Sequence, residues 1–267
     1  MRPLATALVV LIGLAVPAAA EEAKPRELRV CADPNNLPFS NQAQEGFENR
    51  IVSLLAKDLG ATVKYVWWAQ RRGFVRNTLN AGECDLIPGV AAGMEILATT
   101  RPYYRSTYVF VTRAERKLDI GSFDDPRLKR LTVGVQMVGD DSANTPPAHA
   151  LAARGITDNV RGYMLYGDYA EPSPPQKIVQ AVARGEVDVA VVWGPLAGYF
   201  ANREGAPLTL RPVGETIDRG AWPMTFDIAM GTRRGDPLNA EIEAALARHA
   251  AEVRKILTDY GVPLLGG

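Results

Sequence analysis

Short apolar runs alternate along this chain with segments of helical periodicity, and this order restricts the fold more than any other feature. Buried strands are predicted at Leu28–Ala32, Thr62–Trp68 and Asp85–Val90. A helix is predicted at Glu48–Leu59, whose apolar side chains recur at helical spacing before Gly60 ends it. This βαβαβ order predicts an α/β fold with mainly parallel sheets and right-handed crossovers.

The second half of the chain repeats the alternation. The other predicted elements are a short helix at Gly73–Ala81, strands at Tyr108–Thr112, Leu131–Gln136, Val160–Leu165, Val187–Trp193 and Met224–Gly231, and helices at Asn144–Arg154, Pro174–Ala183 and Pro237–Leu257. Two similar α/β halves are therefore expected. Candidate crossings between them lie near Thr112–Leu118 and Glu215–Pro223.

The N-terminus has the order of a secretory signal peptide. Arg2 precedes the apolar run Leu4–Val16, and small residues end at Ala20. We expect residues 1–20 to be removed, which makes the mature chain an exported, periplasmic protein of a bacterium. An uncleaved anchor is the alternative, although the apolar run is shorter than the roughly 20 residues of a membrane span. No later segment is apolar for long enough, so no membrane attachment is expected after cleavage.

The charge of the chain is balanced, which argues against polyanionic partners. The full chain has 30 basic and 30 acidic residues, and loss of Arg2 leaves 29 against 30. This balance gives no reason to expect binding to nucleic acid or to an anionic membrane.

Two cysteines, Cys31 and Cys84, stand beside predicted strands. Because the chain is exported, a disulfide is the first expectation, provided that the two strands are neighbours. The alternative is a pair of buried free thiols. A bridge would close a loop of roughly 50 residues and stabilise the fold by about 4 kcal/mol.

Several short motifs follow one another in a recognisable order. They are Leu28-Arg29-Val30, Pro38-Phe39, Gly46-Phe47, Leu59-Gly60, Ala81-Gly82-Glu83-Cys84-Asp85-Leu86, Arg101-Pro102-Tyr103-Tyr104, Leu131-Thr132-Val133-Gly134-Val135-Gln136, Arg184-Gly185-Glu186-Val187-Asp188 and Tyr260-Gly261-Val262-Pro263. Their order resembles the type II periplasmic solute-binding proteins. The resemblance implies two α/β lobes around a cleft that closes about two hinge crossings. Lobe one would comprise residues 21–115 and 219–267, and lobe two residues 116–218.

A narrower resemblance rests on Arg29–Asn41, on Gly46–Asn49 and on a block that opens with Trp67-Trp68 and Arg71-Arg72. It is to the J proteins (MxaJ or XoxJ type), which are encoded beside quinoprotein methanol and alcohol dehydrogenases. The resemblance implies an accessory protein without a cofactor of its own. Its partner would be the pyrroloquinoline-quinone dehydrogenase, together with the cytochrome c of that enzyme. Its role would be to assist or activate the dehydrogenase.

The charged residues with which the wider family binds amino-acid ligands are missing. Where amino-acid-binding members carry an Arg for the ligand carboxylate, this chain has Gly93–Ala98. The place of their ammonium-binding Asp, counted from Asp188, falls at or next to Trp193. A zwitterion would leave its charges unpaired in such a cleft. The alternative function is therefore import of a small organic solute other than an amino acid, as the binding component of an ABC importer.

Ligands of open α/β sheets bind beyond the carboxyl ends of the strands. With the interlobe aromatic Tyr104 added, the residues predicted to bind a ligand or partner are Asp33, Asn35, Trp67, Trp68, Arg71, Arg72, Tyr104, Gln136 and Trp193. The same rule also selects Asn36, Ala91, Ala92, Gly139 and Asp140. Trp68 with Arg71 is the leading pair, because aromatic faces and guanidinium groups suit a flat or anionic ligand or a protein partner.

Each of these residues also has an ordinary structural interpretation. Asp33 and Asn35 suit the capping of a turn before the first helix. Tyr104 and Trp193 suit packing in the core. In the tryptophan–arginine block, one ring would be buried and the arginines solvated.

No catalytic pattern is present, so the chain is not expected to be an enzyme. His149 and His249 lie in predicted helices of different halves, and His249 belongs to a polar, solvent-facing series. No Ser-His-Asp pattern, phosphate-binding glycine loop or zinc spacing occurs, so no metal or cofactor is expected. Some enzymes, including a dehydratase, use this fold, but the sequence does not reveal a general acid for such chemistry.

Overall fold

A computed structural model describes residues 26–138, 144–166, 169–214, 217–219 and 221–266. The predicted signal peptide lies outside the described residues, as do Gly139, Asp140 and parts of the second candidate crossing. The strands are β1 (Arg26–Ala32), β2 (Asn35–Asn36), β3 (Ser40–Asn41), β4 (Ala61–Trp67), β5 (Ile87–Ala91), β6 (Ala98–Thr99), β7 (Tyr104–Arg113), β8 (Val133–Met137), β9 (Val160–Met164), β10 (Val189–Trp193), β11 (Leu208–Pro212), β12 (Ile217–Asp218), β13 (Trp222–Pro223) and β14 (Thr225–Thr232).

The helices occupy most of the predicted positions. They are α1 (Phe47–Asp58), α2 (Phe74–Asn77), α3 (Pro146–Ala152), α4 (Lys177–Ala183), α5 (Gly194–Ala201), α6 (Leu238–Arg248) and α7 (Ala250–Asp259), with 3₁₀ turns at Ala114–Arg116, Pro126–Lys129 and Pro174–Gln176. Among the described residues, no helix has both the length and the apolar character needed to cross a membrane.

The sheets confirm the α/β class. In lobe one, β1 pairs in parallel with β4, and Val30 forms a parallel bridge with Leu86 just before β5. In lobe two, β10, β8 and β9 are parallel neighbours. The antiparallel pairs of the large sheet all involve β7 or β14. Parallel pairing thus follows the βαβ units, whereas the long connecting strands run against them.

The chain passes between the lobes within β7. Residues Tyr104–Thr107 pair with β14, and residues Tyr108–Thr112 pair with β10 of lobe two. After lobe two, β14 carries the chain back beside β5 and β7. The change of partner in β7 occurs before the candidate crossing at Thr112–Leu118. The expected lobe boundaries at residues 115 and 218 remain predictions.

Each lobe has its own apolar core. In lobe one, α1 places Phe47, Ile51 and Leu55 against β1 and against the C-terminal helices α6 and α7. In lobe two, the buried residues come mainly from β7, β8 and β10 and from α3, α4 and α5. The C-terminal helices therefore pack on lobe one.

The predicted disulfide joins Cys31 to Cys84, with the two Cα atoms 5.6 Å apart. Both cysteines are fully buried in a cluster with Phe74, Leu79 and Ile87. The two cysteines are close enough for a bridge because Val30 of β1 pairs with Leu86, which directly precedes β5.

The prediction of one long C-terminal helix at Pro237–Leu257 is wrong. The helix ends at Arg248, and a new helix begins at Ala250. His249 has non-helical dihedral angles (φ −104°, ψ 21°), and its Nε2 lies 3.0 Å from Asp58 Oδ1 of α1. The break allows both α6 and α7 to contact α1, which a straight helix of that length would not do.

Candidate functional site

A cavity of about 150 Å³ lies between the two lobes. Lobe one contributes side chains from the loops after β1 and β4, from the start of α1 and from β5. Lobe two contributes Tyr166 and Trp193, and β14 contributes Ile228. The polar and aromatic residues that line the cavity include Asn36, Glu48, Gln70, Tyr104, Tyr166 and Trp193. The cavity therefore occupies the expected place, beyond the carboxyl ends of strands.

A second cavity of about 340 Å³ adjoins the first on the side of lobe two. Tyr166, Trp193 and Ile228 line both cavities, and Gln136 lines the second. Trp193 packs edge-on against Tyr108 and Phe226, with ring centroids 5.3 and 5.7 Å away. The cleft therefore has a cluster of aromatic side chains toward lobe two.

The first cavity contains one acidic side chain, Glu48. It lies in the first turn of α1 and is only 5% exposed. None of the described residues gives its carboxyl a hydrogen bond or an ion pair. Because burial disfavours the charged form, the pKa of Glu48 rises to about 8. A largely buried carboxyl without a partner is uncommon and often marks a functional site.

Gly89 gives this carboxyl its space. A Cβ atom at Gly89 would stand 2.1 Å from Glu48 Oε1 and 3.1 Å from Cδ. Any larger residue in this part of β5 would displace the carboxyl or the strand. The glycine is thus required by the close approach of α1 and β5.

Two amides lie beside the carboxyl. Asn36 Nδ2 donates to Gln70 Oε1 at 3.0 Å, whereas Asn36 Oδ1 is buried without a hydrogen-bond partner in the described ranges. On the lobe-two side, burial raises the pKa of the Tyr166 hydroxyl, and the nearby Gln136 side chain acts to lower it. The cavity thus has two unpaired acceptors, the Glu48 carboxyl and Asn36 Oδ1.

Asp33 lies outside both cavity walls and organises the adjoining loops. Its two carboxylate oxygens accept hydrogen bonds from the backbone N–H groups of Asn35 (2.8 Å) and Gln70 (2.7 Å). Burial raises the pKa of Asp33, and these backbone hydrogen bonds act in the opposite direction. This is the turn-capping geometry that the sequence left open as the structural alternative.

Asn35 connects the lobes. Its Nδ2 donates to the backbone carbonyl of Glu171 in lobe two at 2.7 Å. Leu37 and Phe39, from the same loop, pack against the core of lobe two. The loop after β1 therefore holds the two lobes together at one end of the cleft.

The tryptophan–arginine block lies at the rim of the cleft. Trp67 stacks on Tyr65 at 4.5 Å, whereas the next ring, Trp68, is 42% exposed. Arg71 and Arg72 are exposed. Across the cleft, Tyr169 is 55% exposed, and the charge of Arg71 acts to lower its pKa against the effect of burial. We call Trp68, Arg71, Arg72 and Tyr169 the rim patch.

The structure thus divides the predicted site residues into two groups. Tyr104, Gln136 and Trp193 line the two cavities, whereas Asp33, Asn35, Trp67, Trp68, Arg71 and Arg72 do not. A binding role for either group stays a prediction. Sequence reasoning missed Tyr166 and Glu48. Glu48 left one signal, because it precedes Ile51, Val52 and Leu55 on the apolar stripe of α1, where an acid is out of place.

Neither histidine is placed for chemistry in the cleft. His149 stacks on Trp222 in lobe two, with ring centroids 6.1 Å apart. His249 is held by Asp58 and Glu252 on the outside of lobe one, and hydrogen bonding to Asp58 raises its pKa. In the part of the chain that the structure describes, no three His, Cys, Asp or Glu side chains converge as metal ligands.

Comparisons with family models and with curated proteins identify the same family. Residues 67–262 match the bacterial extracellular solute-binding protein family. Protein MoxJ of Methylorubrum extorquens is 35% identical over 98% of this chain and 93% of its own length. Protein MoxJ of Paracoccus denitrificans is 31% identical over 95% of this chain and 94% of its own length.

A solved structure supports the same grouping. The crystal structure of the periplasmic binding protein XoxJ from Methylobacterium extorquens AM1 superposes with a TM-score of 0.73 at 34% sequence identity. The match covers 90% of this chain and 100% of XoxJ. The similarity thus extends over both lobes and the crossings.

Proposed function

Because the chain belongs to the bacterial extracellular solute-binding proteins, and among them to the MxaJ/XoxJ type of periplasmic binding protein, we propose that it assists or activates a quinoprotein methanol or alcohol dehydrogenase. The protein is periplasmic, as its relatives are. Its similarity to the MoxJ and XoxJ proteins links it to methanol dehydrogenase systems. The dehydrogenase is the proposed partner, and the cytochrome c of that enzyme is a second component of the same complex.

The observation that carries this proposal is the full-length similarity to two MoxJ proteins and to XoxJ, combined with a cleft that does not suit an amino acid. No Lys or Arg is among the described residues that line either cavity, so a ligand carboxylate would find no cationic partner. Counted from Asp188, the sequence position of the family's ammonium-binding Asp falls at or next to Trp193, so we expect no acid at that position. These features support a binding role in which amino acids are not the ligand. We propose no catalytic activity.

The rim patch is the proposed contact surface for the dehydrogenase. Trp68 and Tyr169 offer exposed aromatic area from opposite lobes, and the exposed Arg71 and Arg72 add positive charge. Trp, Tyr and Arg are the residue types that contribute most to protein interfaces. A partner bound here would contact both lobes at once and would therefore respond to the closure of the cleft.

The test measures dehydrogenase turnover with and without the purified protein. We expect the wild-type protein to raise turnover, and we expect the Trp68→Ala/Arg71→Ala variant to need at least tenfold more protein for the same effect. Ile96→Ala is the matched control, because Ile96 is 57% exposed and lies outside the rim patch. If the wild-type protein neither binds the dehydrogenase nor changes its turnover at any salt concentration, the accessory role is excluded.

The alternative function, as a receptor for a small solute other than an amino acid, is favoured by one observation. The cavity between the lobes contains a buried carboxyl without a partner among the described residues. A cleft used only for protein contacts has no need of such a group. Native mass spectrometry of the protein purified from periplasm would detect a bound solute if this alternative holds.

A further inference from the structure

The Glu48 carboxyl has no role in the proposed contact with a dehydrogenase. Glu48 is only 5% exposed, and it lines the 150 Å³ cavity rather than the rim patch. The described residues leave it without a hydrogen bond, an ion pair or a cation close enough to change its pKa. Burying such a group without compensation costs stability. A ligand that pairs with it would remove this cost.

The hydrogen-bonding capacity of the cavity defines that ligand. Both unpaired groups, the Glu48 carboxylate and Asn36 Oδ1, are acceptors. When Glu48 is ionised, a ligand that donates hydrogen bonds and carries a positive charge complements both groups. A primary ammonium group meets both conditions with three N–H donors.

The walls and the size restrict the rest of the molecule. The rings of Tyr104, Tyr166 and Trp193 line the cavity, and aromatic faces attract cations. A short alkyl chain matches the first cavity of about 150 Å³, and the adjoining cavity, which shares Tyr166, Trp193 and Ile228 with it, offers room for a longer one.

We propose that this cavity binds a small primary alkylammonium ion, with the ammonium group between the Glu48 carboxylate and Asn36 Oδ1 and the alkyl chain against the aromatic rings. This binding is independent of the proposed accessory function, because it needs only the purified protein. The two ideas can therefore fail separately.

Binding of the cation is coupled to loss of a proton. Among the described residues, the ionisable groups whose pKa values respond to the charge of Glu48 are tyrosines: Tyr65 on β4, Tyr103 just before β7, Tyr104 on β7, and Tyr166 of lobe two. Burial raises the pKa of each, so these tyrosines stay neutral between pH 6 and pH 9. Glu48, with a pKa near 8, is then the group that titrates in this range. The affinity for an ammonium ion should rise about tenfold per pH unit up to pH 8 and then level off.

The experiment is calorimetric titration of the purified protein with the methyl- to butylammonium chlorides at pH 6, 7, 8 and 9. We expect binding of at least one of these ions, with the stated pH dependence, and no binding of propan-1-ol, which is similar in size to propylammonium but uncharged. Glu48→Gln should abolish binding and its pH dependence. Glu45→Gln is the matched control, because Glu45 is exposed on the same segment.

Gly89→Ala provides a second variant, since its Cβ would displace the carboxyl without removing it, and we expect weaker binding. Thermal melting of each variant shows whether it is folded. The proposal is overturned if the folded wild-type protein binds none of the four ammonium ions, if propan-1-ol binds as well as propylammonium, or if Glu48→Gln retains the affinity.

Discussion

At the scale of single residues, Glu48 makes stability depend on pH in an unusual direction. Its pKa is about 8 in the folded protein, against an ordinary value of 4.5. The folded state therefore binds the proton more tightly than the unfolded chain does. Its contribution to stability is complete below pH 4.5 and is lost as the pH rises toward 8 and above. The total effect is at most about 5 kcal/mol.

Glu48→Gln should remove this dependence. Glutamine resembles the protonated acid, so we expect the variant to match the wild type near pH 5 and to exceed it in unfolding free energy at pH 9. Urea unfolding of both proteins at pH 5, 7 and 9 measures the difference. Equal slopes of stability against pH in the two proteins would show that Glu48 keeps an ordinary pKa.

Single residues also show which features of the site could be predicted from the sequence and which could not. Cys31 and Cys84 were predictable as a pair because both flank strands that an α/β order makes neighbours. The unpaired state of Glu48 was not predictable, since it depends on Gly89 lying against α1 from 41 positions away in the chain. Asp33 was recognisable as polar and close to the cleft, but the backbone N–H groups that occupy its two oxygens are fixed only by the fold.

At the scale of elements, α5 packs on the C-terminal turn by direct backbone contact. A Cβ atom at Gly198 would stand 1.9 Å from the carbonyl oxygen of Gly261. Alanine normally stabilises a helix interior by about 1 kcal/mol relative to glycine. The clash should outweigh that gain, so we expect Gly198→Ala to lower the unfolding free energy by about 1–3 kcal/mol.

Gly205→Ala is the control for this variant. A Cβ at Gly205 meets no atom within 4 Å, and the residue is exposed. Its effect should stay within about 0.5 kcal/mol. Urea unfolding compares the two variants, and equal stabilities would contradict the close approach of α5 to Gly261.

A buried ion pair attaches β12 to α3 and its following turn. The Arg154 side chain is 5% exposed, and it donates to both carboxylate oxygens of Asp218 at 2.7 and 2.8 Å. Asp218 is only 2% exposed. Arg154→Met would leave this carboxylate buried without its partner, and we expect a loss of about 3–5 kcal/mol in unfolding free energy.

The control for Arg154 is a pair at the surface. Arg127 bonds to Asp125, but its side chain is 40% exposed, so Arg127→Met should cost less than about 1 kcal/mol. Denaturant unfolding at neutral pH distinguishes the two. A loss below 1 kcal/mol for Arg154→Met would show that Asp218 is readily solvated.

Elements with a clear period were the most predictable. The buried stripe of α1 and the apolar strand β10 lie within two residues of their predicted bounds. The crossing strand β7 was predicted too short, because its first residues pair with β14, far away in the sequence. The break at His249 was missed because it depends on Asp58 of another helix.

At the scale of the whole molecule, β7 and β14 join the two lobes, and the loop after β1 connects them again across the cleft. The strands are continuous and paired along their length, whereas the loop contact includes the hydrogen bond from Asn35 to the Glu171 carbonyl. The balance between open and closed cleft is expected to be sensitive to this contact, because hinge closure needs only small backbone changes at the crossings.

Asn35→Ala should therefore favour the open form. Loss of a hydrogen bond of this kind is worth about 0.5–1.5 kcal/mol, which shifts the equilibrium by roughly 2- to 10-fold. Fluorescence energy transfer between dyes on cysteines introduced at Lys57 and Lys129, one exposed site on each lobe, measures the separation. The native cysteines do not interfere, since both are in the disulfide.

Asn41→Ala is the control, because Asn41 bonds to Glu45 within lobe one. We expect it to leave the dye separation unchanged, whereas Asn35→Ala increases the population with the longer separation. An alkylammonium ion bound at Glu48 would reverse this change, since it contacts walls from both lobes. If Asn35→Ala and Asn41→Ala give the same distribution as the wild type, the contact at Glu171 does not control closure.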